Sequence, residues 1–260
     1  MTNNICLVQG ASRGIGLQFC KALLMNNKTQ VIATCRKPLE ATDLQQLMKD
    51  NSQRLSVLNI DVTNEGTISA AASQVEQSHG KLDLLINCAG IIHPSKLGET
   101  SLKAVTSQGL LETYLVNSVG PLLMAKHFAA LLSKGQGLIG KQAADKKSQH
   151  SSVLVNMSAK VGSISDNALG GWYSYRMSKA ALNMATRNLS IELTRGQKKT
   201  VCIALHPGTV DTDLSRPYHK NVPKLLTAQQ TVEFMLSVIN SLSLEDSGKF
   251  FTYERSVLPF

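Results

Sequence analysis

Charge is scarce in this 260-residue chain, with 17% of residues charged, and aromatic residues supply only 5%. The hydrophobic share is nevertheless 43%, enough apolar surface to bury a core, which excludes wholesale disorder. Missing too is any stripe of aromatics interleaved with basic residues, the feature on which single-strand binders stack bases. The formal net charge of +9 comes from scattered lysines and arginines, clustered only at Lys146-Lys147 and Lys198-Lys199. Nucleic-acid binding is therefore set aside, and the basic balance suits an acidic ligand such as a phosphorylated cofactor.

The five cysteines, Cys6, Cys20, Cys35, Cys88 and Cys202, are odd in number, far apart and mostly inside apolar runs. With no CxxC pair and no disulfide ladder, they read as buried small hydrophobes in a reducing compartment. The six histidines show no HExxH or other ligand spacing, so no metal is expected. His93 and His206 fall near the expected pocket but read as structural or surface residues. No charged-then-apolar leader opens the chain, and no apolar run approaches the ~18 residues of a spanning helix. The expectation is a cytoplasmic protein with no membrane partner. Internal repeats and linker-like shifts in composition are also lacking, and α/β domains of about 250 residues fold as single units.

What the chain does have is alternation. Short apolar runs recur at Ile5 to Val8, Val31 to Cys35, Leu55 to Ile60, Leu82 to Asn87, Val153 to Met157, Val201 to His206 and Phe250 to Tyr253. Stretches with helical spacing lie between most of them. The pattern predicts an α/β fold: a doubly wound, seven-stranded parallel sheet of the Rossmann type, helices on both faces, one domain over 1–260. The polar stretch from Ser133 to Ser152 reads as an exposed loop.

Between the first strand and the first helix stands "GASRGIG", with Gly10, Gly14 and Gly16 in the turn. A helix N-terminus offers unpaired N–H groups and partial positive charge, and glycines let a phosphate approach the backbone. The spacing is not GxGxxG, and glycine-rich turns also serve as plain punctuation. About 20 residues past such a turn, an acid takes the ribose hydroxyl of NAD, whereas an arginine accommodates the extra phosphate of NADP. Here that place holds Arg36, and Arg13 inside the turn offers a second guanidinium. Unless both are ordinary surface arginines, the pair favours NADP(H).

A second candidate lies in "WYSYRMSKAALNMATRNLSIEL", where Tyr175 and Lys179, four apart, share one helix face. Ala180, Met184, Leu189 and Leu193 are expected to be its buried positions. An ammonium beside a phenol favours the phenolate and so lowers a pKa that is otherwise near 10. Surface pairs at this spacing are also common helix stabilisers.

With "DV" at Asp61-Val62, "NCAG" at Asn87 to Gly90, "LVNSVGP" around Asn117, "YRMSK" and "HPGTVDTDL" from His206, the chain resembles a classical short-chain dehydrogenase/reductase. The motifs keep that family's order over nearly the whole length. Within the family, "NMSAKVGSISDNALGGWYSYRMSKAALN" is most similar to the Sniffer- and C-factor-like carbonyl reductases. The resemblance implies NADPH-dependent reduction of a small or medium aldehyde, ketone or quinone. Tyr175 would protonate the carbonyl oxygen, Lys179 would lower its pKa and hold the nicotinamide ribose, and Asn117 would anchor a relay water. Gly10, Ser12, Arg13, Gly14, Ile15 and Gly16 would cradle the pyrophosphate end. Asp61 and Val62 would meet the adenine, and Asn87, Ala89 and Gly90 would line the cofactor path. Pro207, Gly208, Val210 and Thr212 would close over the nicotinamide end. Bland alternatives remain: Asp61 as a turn former, Asn117 as a hydrogen-bonder within a helix, Pro207-Gly208 as a plain turn.

Three departures stand out. Gln9 replaces a threonine, Cys88 replaces an asparagine, and Ala159 follows Ser158 where the family commonly has two serines, the second catalytic. The carbonyl-polarising hydroxyl then has to come from Ser158, favoured as the more rigid strand-end position, or from Ser163. A substrate lid is expected around 211–226 and a homodimer or homotetramer through helices beginning near Gly109 and Tyr173. The competing reading is an NADPH-binding regulator or scaffold with little catalysis.

Overall fold

A computed structural model describes residues 3–221 and 224–260. The apolar runs form strands β1 (Asn4–Gln9), β2 (Thr29–Cys35), β3 (Leu55–Asn59), β4 (Leu84–Asn87), β5 (Ser152–Met157), β6 (Thr200–His206), β7 (Phe250–Thr252) and β8 (Val257–Leu258). Helices α1 (Gly14–Leu24), α2 (Thr42–Asp50), α3 (Glu65–His79), α4 (Ser107–Tyr114), α5 (Gly120–Ser133), α6 (Tyr173–Glu192) and α7 (Ala228–Ser241) connect them. Strand order is β3-β2-β1-β4-β5-β6-β7-β8, parallel as far as β7. The chain therefore winds outward in both directions from β1 and β4, leaving at their carboxyl ends the crevice where such sheets take ligands.

Each sheet face buries its own apolar layer. Phe19, Leu23, Leu44, Val232 and Met235 from α1, α2 and α7 cover one side. Ile68, Val75, Met124, Phe128 and Leu189 from α3, α5 and α6 cover the other. This double covering is why the strands read as continuous apolar runs rather than alternating ones.

Three differences from the sequence reading have physical causes. An eighth strand follows the expected seven: β8 turns back antiparallel on β7, pairing Phe250 with Leu258 and Phe251 with Val257. Arg255 at φ +67° makes the reversal, and the two-residue strand covers an edge that would otherwise lie open. Second, the Ser133–Ser152 stretch is not simply exposed. It buries Ile139 and His150, His150 Nε2 lies 2.7 Å from the Ile139 carbonyl, and burial pushes the His150 pKa down. Third, α4 and α5 are joined through a π-helical turn, Leu115–Val119, so Ser107–Ser133 is one helix of 27 residues, long and apolar enough to cross a membrane, with half of that apolar window buried inside the fold.

Candidate active site

The β1–α1 turn sits at the crevice. Gly10 has φ +84°, and a Cβ there would stand 2.6 Å from the Ala89 nitrogen, so only glycine allows this approach of β1 to β4. A Cβ on Gly16 would strike the Gly10 carbonyl. Helices α3, α4 and α7 are capped by the side chains of Asn64, Thr106 and Thr227. Helix α1 has no side-chain cap and no acid in its first turn. The N–H groups of Gly14, Ile15 and Gly16 thus have no intrahelical partner and suit a phosphate. Ser12 is half-buried beside them. Arg36, exposed just past β2, makes no ion pair among the described residues; Arg13 pairs with Asp213 at 3.5 Å, both largely exposed.

Toward β4 the side chains are more committed. Asp61 Oδ1 accepts from Thr63 N at 2.9 Å and Thr63 Oγ1 at 2.7 Å, an Asx turn, while Val62 packs against the Cα of Gly120. The Asn87 side chain is buried; its Nδ2 donates to Asn156 Oδ1 at 2.8 Å, while its Oδ1 has no partner among the described residues. Ala89 and Gly90 are half-buried at the crevice itself. Gln9 matters more than its sequence context implies: its Oε1 accepts from Ala89 N at 3.0 Å, tying β1 to the "NCAG" turn. A long polar side chain at a strand end facing a glycine turn is the signal that could have flagged it.

Tyr175 and Lys179 are both buried on the inner face of α6. Lys179 Nζ donates to the Met157 carbonyl at 2.8 Å and lies 5.7 Å from the Tyr175 ring centroid. Burial lowers the Lys179 pKa from 10.5 to about 8. Burial also raises the Tyr175 pKa. The ammonium is held by the Met157 carbonyl, and desolvation of the phenolate is the larger influence on the phenol. Tyr175 is consequently a protonated phenol throughout the neutral range, the form a proton donor needs.

Asn117, at the centre of the π turn, is fully buried. Its Nδ2 donates to the Ile91 carbonyl at 2.7 Å and Ser178 Oγ at 3.0 Å, and its Oδ1 accepts from Ile91 N at 2.9 Å. Both amide hydrogens are spent on protein, and the side chain thereby positions the loop after β4. A Cβ on Gly90 would lie 3.2 Å from Asn117 Oδ1 and 3.5 Å from Lys179 Nζ, which places Gly90 between the two.

The two candidate serines differ in their partners. Ser158 is buried and its hydroxyl donates to Asn183 Oδ1 at 2.7 Å. It is Ala159 that clusters with Tyr175 and Ile92. Alternate residues leaving a strand face opposite ways, so the residue after Ser158 takes the side facing the tyrosine. Ser163 is buried with its Oγ accepting from Asp166 N at 3.2 Å, and its hydroxyl hydrogen has no acceptor among the described residues.

Over this group lie residues the sequence reading passed by. Trp172 caps α6 at φ +49°, ψ +43°, a left-handed conformation that costs a non-glycine residue about 1–2 kcal/mol. Glu99 holds it there: its carbonyl accepts from Trp172 N at 2.6 Å, and its buried carboxylate accepts from the N–H and the hydroxyl of Ser174. Beyond β6, Gly208 lies against the Tyr253 ring and Val210 bridges to Leu226. Thr212 touches the Gly14 position, while the Pro207 carbonyl accepts from Thr231. The segment from Asp211 then crosses the site, bringing Tyr218 against Trp172; Val222 and Pro223 of the expected 211–226 lid lie outside the described residues. His206 keeps a buried, unpartnered Nδ1, and burial lowers its pKa to about 4, so it is neutral at neutral pH. Among the described residues no group of three or more potential metal ligands converges.

A crevice at the β1/β4 switch, an uncapped glycine-lined helix start and a buried tyrosine–lysine pair define a dinucleotide-binding α/β architecture. The chain belongs to the short-chain dehydrogenase family, whose model matches residues 4–223. Among solved structures, a carbonyl reductase from chicken fatty liver with NADPH bound is 33% identical over 100% of both chains, with a TM-score of 0.84. The carbonyl reductase Sniffer of D. melanogaster is 32% identical over 100% of both, with a TM-score of 0.86. The C-signal protein of Myxococcus xanthus is 36% identical over 181 residues, 70% of this chain and 94% of that protein. The resemblance read from the motifs is borne out.

Proposed function

We propose that the protein is an NADPH-dependent carbonyl reductase in which Tyr175 donates the proton to the carbonyl oxygen of an aldehyde, ketone or quinone. The observation carrying this reading is the buried pairing of a protonated Tyr175 with Lys179 at the carboxyl end of β5. The open N-terminus of α1 suits the pyrophosphate, and Arg13 and Arg36 suit a 2′-phosphate, Arg13 exchanging its exposed contact with Asp213 for it. When bound, NADPH supplies the hydride. Lys179 provides positive charge beside the reacting groups. Ser163, whose hydroxyl hydrogen is uncommitted, polarises the carbonyl, and the segment from Asp211 covers the substrate as a lid.

Exposed apolar side chains on α4 and α6, among them Leu111, Tyr114, Met177, Met184 and Ile191, support a homo-oligomer formed through these two helices. The test is loss of NADPH absorbance over a panel of aldehydes, ketones and quinones, with Tyr175→Phe alongside. Turnover that falls by about 10² or more in the variant while NADPH still binds supports the reading. Tight NADPH binding without turnover of any carbonyl favours the competing reading, a cofactor-binding regulator, for which the missing hydroxyl at Ala159 speaks.

A further inference from the structure

We propose that Trp172 and Tyr218 form an aromatic wall that selects substrates carrying an aryl group next to the reacting carbonyl, an inference that rests on the carbonyl-reductase reading above. The Trp172 ring centroid is 6.1 Å from that of Tyr175 at an interplanar angle of 65°, and Tyr218 stands 4.6 Å from Trp172 at 59°. Ile92, Ala159 and Val161 complete the surround. A carbonyl oxygen that reaches the Tyr175 hydroxyl carries its substituents onto this apolar surface, and its largest faces are aromatic. The Glu99 carboxylate is turned into the start of α6 by its bonds to Ser174.

The wall is preorganised. Gly98 N donates to Tyr218 Oη at 2.7 Å, while the next residue, Glu99, accepts from Trp172 N. One dipeptide thus fixes both rings. Gly98 itself lies beneath the indole, where a Cβ would come within 2.8 Å of Trp172 Cδ1. Arg176 Nε donates at 3.1 Å to the carbonyls of Gly170 and Gly171, securing the left-handed run that ends in Trp172. Rings held beforehand at these angles meet an incoming ring edge-on or offset, a contact that adds roughly twofold to tenfold in binding per aromatic pair beyond area burial. A saturated ring of equal size gains only the burial.

The experiment compares methyl benzoylformate with its cyclohexyl counterpart. Trp172 is the chain's only tryptophan, so titrating the NADP⁺-loaded protein with each ester reads binding through one fluorophore without turnover. Saturable quenching by the phenyl ester at roughly a tenth of the concentration needed by the cyclohexyl ester is expected. With NADPH, the phenyl-to-cyclohexyl ratio of kcat/KM should fall by about tenfold in Trp172→Leu, and part of the way in Tyr218→Leu. Tyr218 lies on a surface segment, so its variant keeps the test decisive should Trp172→Leu fail to fold. Equal quenching by both esters, or a ratio unmoved in the folded variants, overturns the wall. If the fluorescence preference holds but no carbonyl is reduced, the wall stands and the reductase reading falls; if both esters are reduced without preference, the reverse is true.

Discussion

Burying Lys179 makes the stability of the ligand-free protein depend on pH in a way that one substitution isolates. Its ammonium is desolvated, which holds its pKa at about 8 against an ordinary 10.5. At about 1.4 kcal/mol per pH unit, that difference costs folding about 3 kcal/mol wherever the lysine is charged in both states. Below pH 8 this cost is fully present. Between pH 8 and 10.5 the unfolded chain binds more protons than the folded one, so stability rises with pH; above 10.5 the cost is gone. Burial also raises the pKa of neighbouring Tyr175 and pushes Cys88 up to about 12; the unfolded chain loses these protons first, which lowers stability with rising pH inside the same window, but in wild type and variant alike, so the difference between the two proteins isolates Lys179. Lys179→Met abolishes the titration but leaves the Met157 carbonyl, which Nζ now serves at 2.8 Å, unpaired at a cost of about 1–3 kcal/mol. The variant should therefore equal or exceed the wild type in stability at pH 7, by up to about 2 kcal/mol, and be less stable by about 1–3 kcal/mol near pH 10.5. Urea unfolding of both proteins at the two pH values, without cofactor, measures this. A difference between them that stays constant across pH would show that Lys179 is not desolvated as its burial implies.

Two further outcomes follow from the same geometry. Ser163→Ala should lower kcat by about 10² or more if its hydroxyl polarises the carbonyl, whereas Ser158→Ala should mainly lose its bond to Asn183 and about 1 kcal/mol of stability; steady-state kinetics and thermal melts on the pair separate the roles, and the reverse pattern would restore Ser158. Replacing Arg13 and Arg36 together by Gln should weaken NADPH by about tenfold or more while moving NADH little, because a charge-assisted contact to the 2′-phosphate contributes about 1.5 kcal/mol or more; calorimetric titration with both cofactors reads it, and equal losses for the two would remove the arginines from cofactor selection.

Which parts of the molecule were legible follows from what sequence patterns encode. Strands buried on both faces announce themselves as apolar runs, and glycines forced by close backbone approach, as at Gly10 against Ala89, leave a fixed mark in the first turn. Hydrophobic periodicity is only partly legible on α6: Leu189 is buried as its spacing predicts, whereas Met184 is 63% exposed. Besides Leu182 and Leu189, the face that helix buries carries Ser174, Tyr175, Ser178, Lys179, Asn183 and Thr186, polar residues whose burial no apolar stripe marks. The choice between two serines is illegible for another reason: the rigidity of a strand end favours Ser158, but rigidity does not decide which way a side chain faces, and Asn183, one turn beyond Lys179, accepts from its hydroxyl. Trp172 was invisible for a different reason. Its place depends on a left-handed backbone after two glycines and on a carbonyl 73 positions earlier in the chain, a long-range contact that no local pattern records. The fold, set by many redundant apolar positions, survives such errors. The site rests on the orientation of single side chains, and each of those is decided by a hydrogen-bond partner from another element.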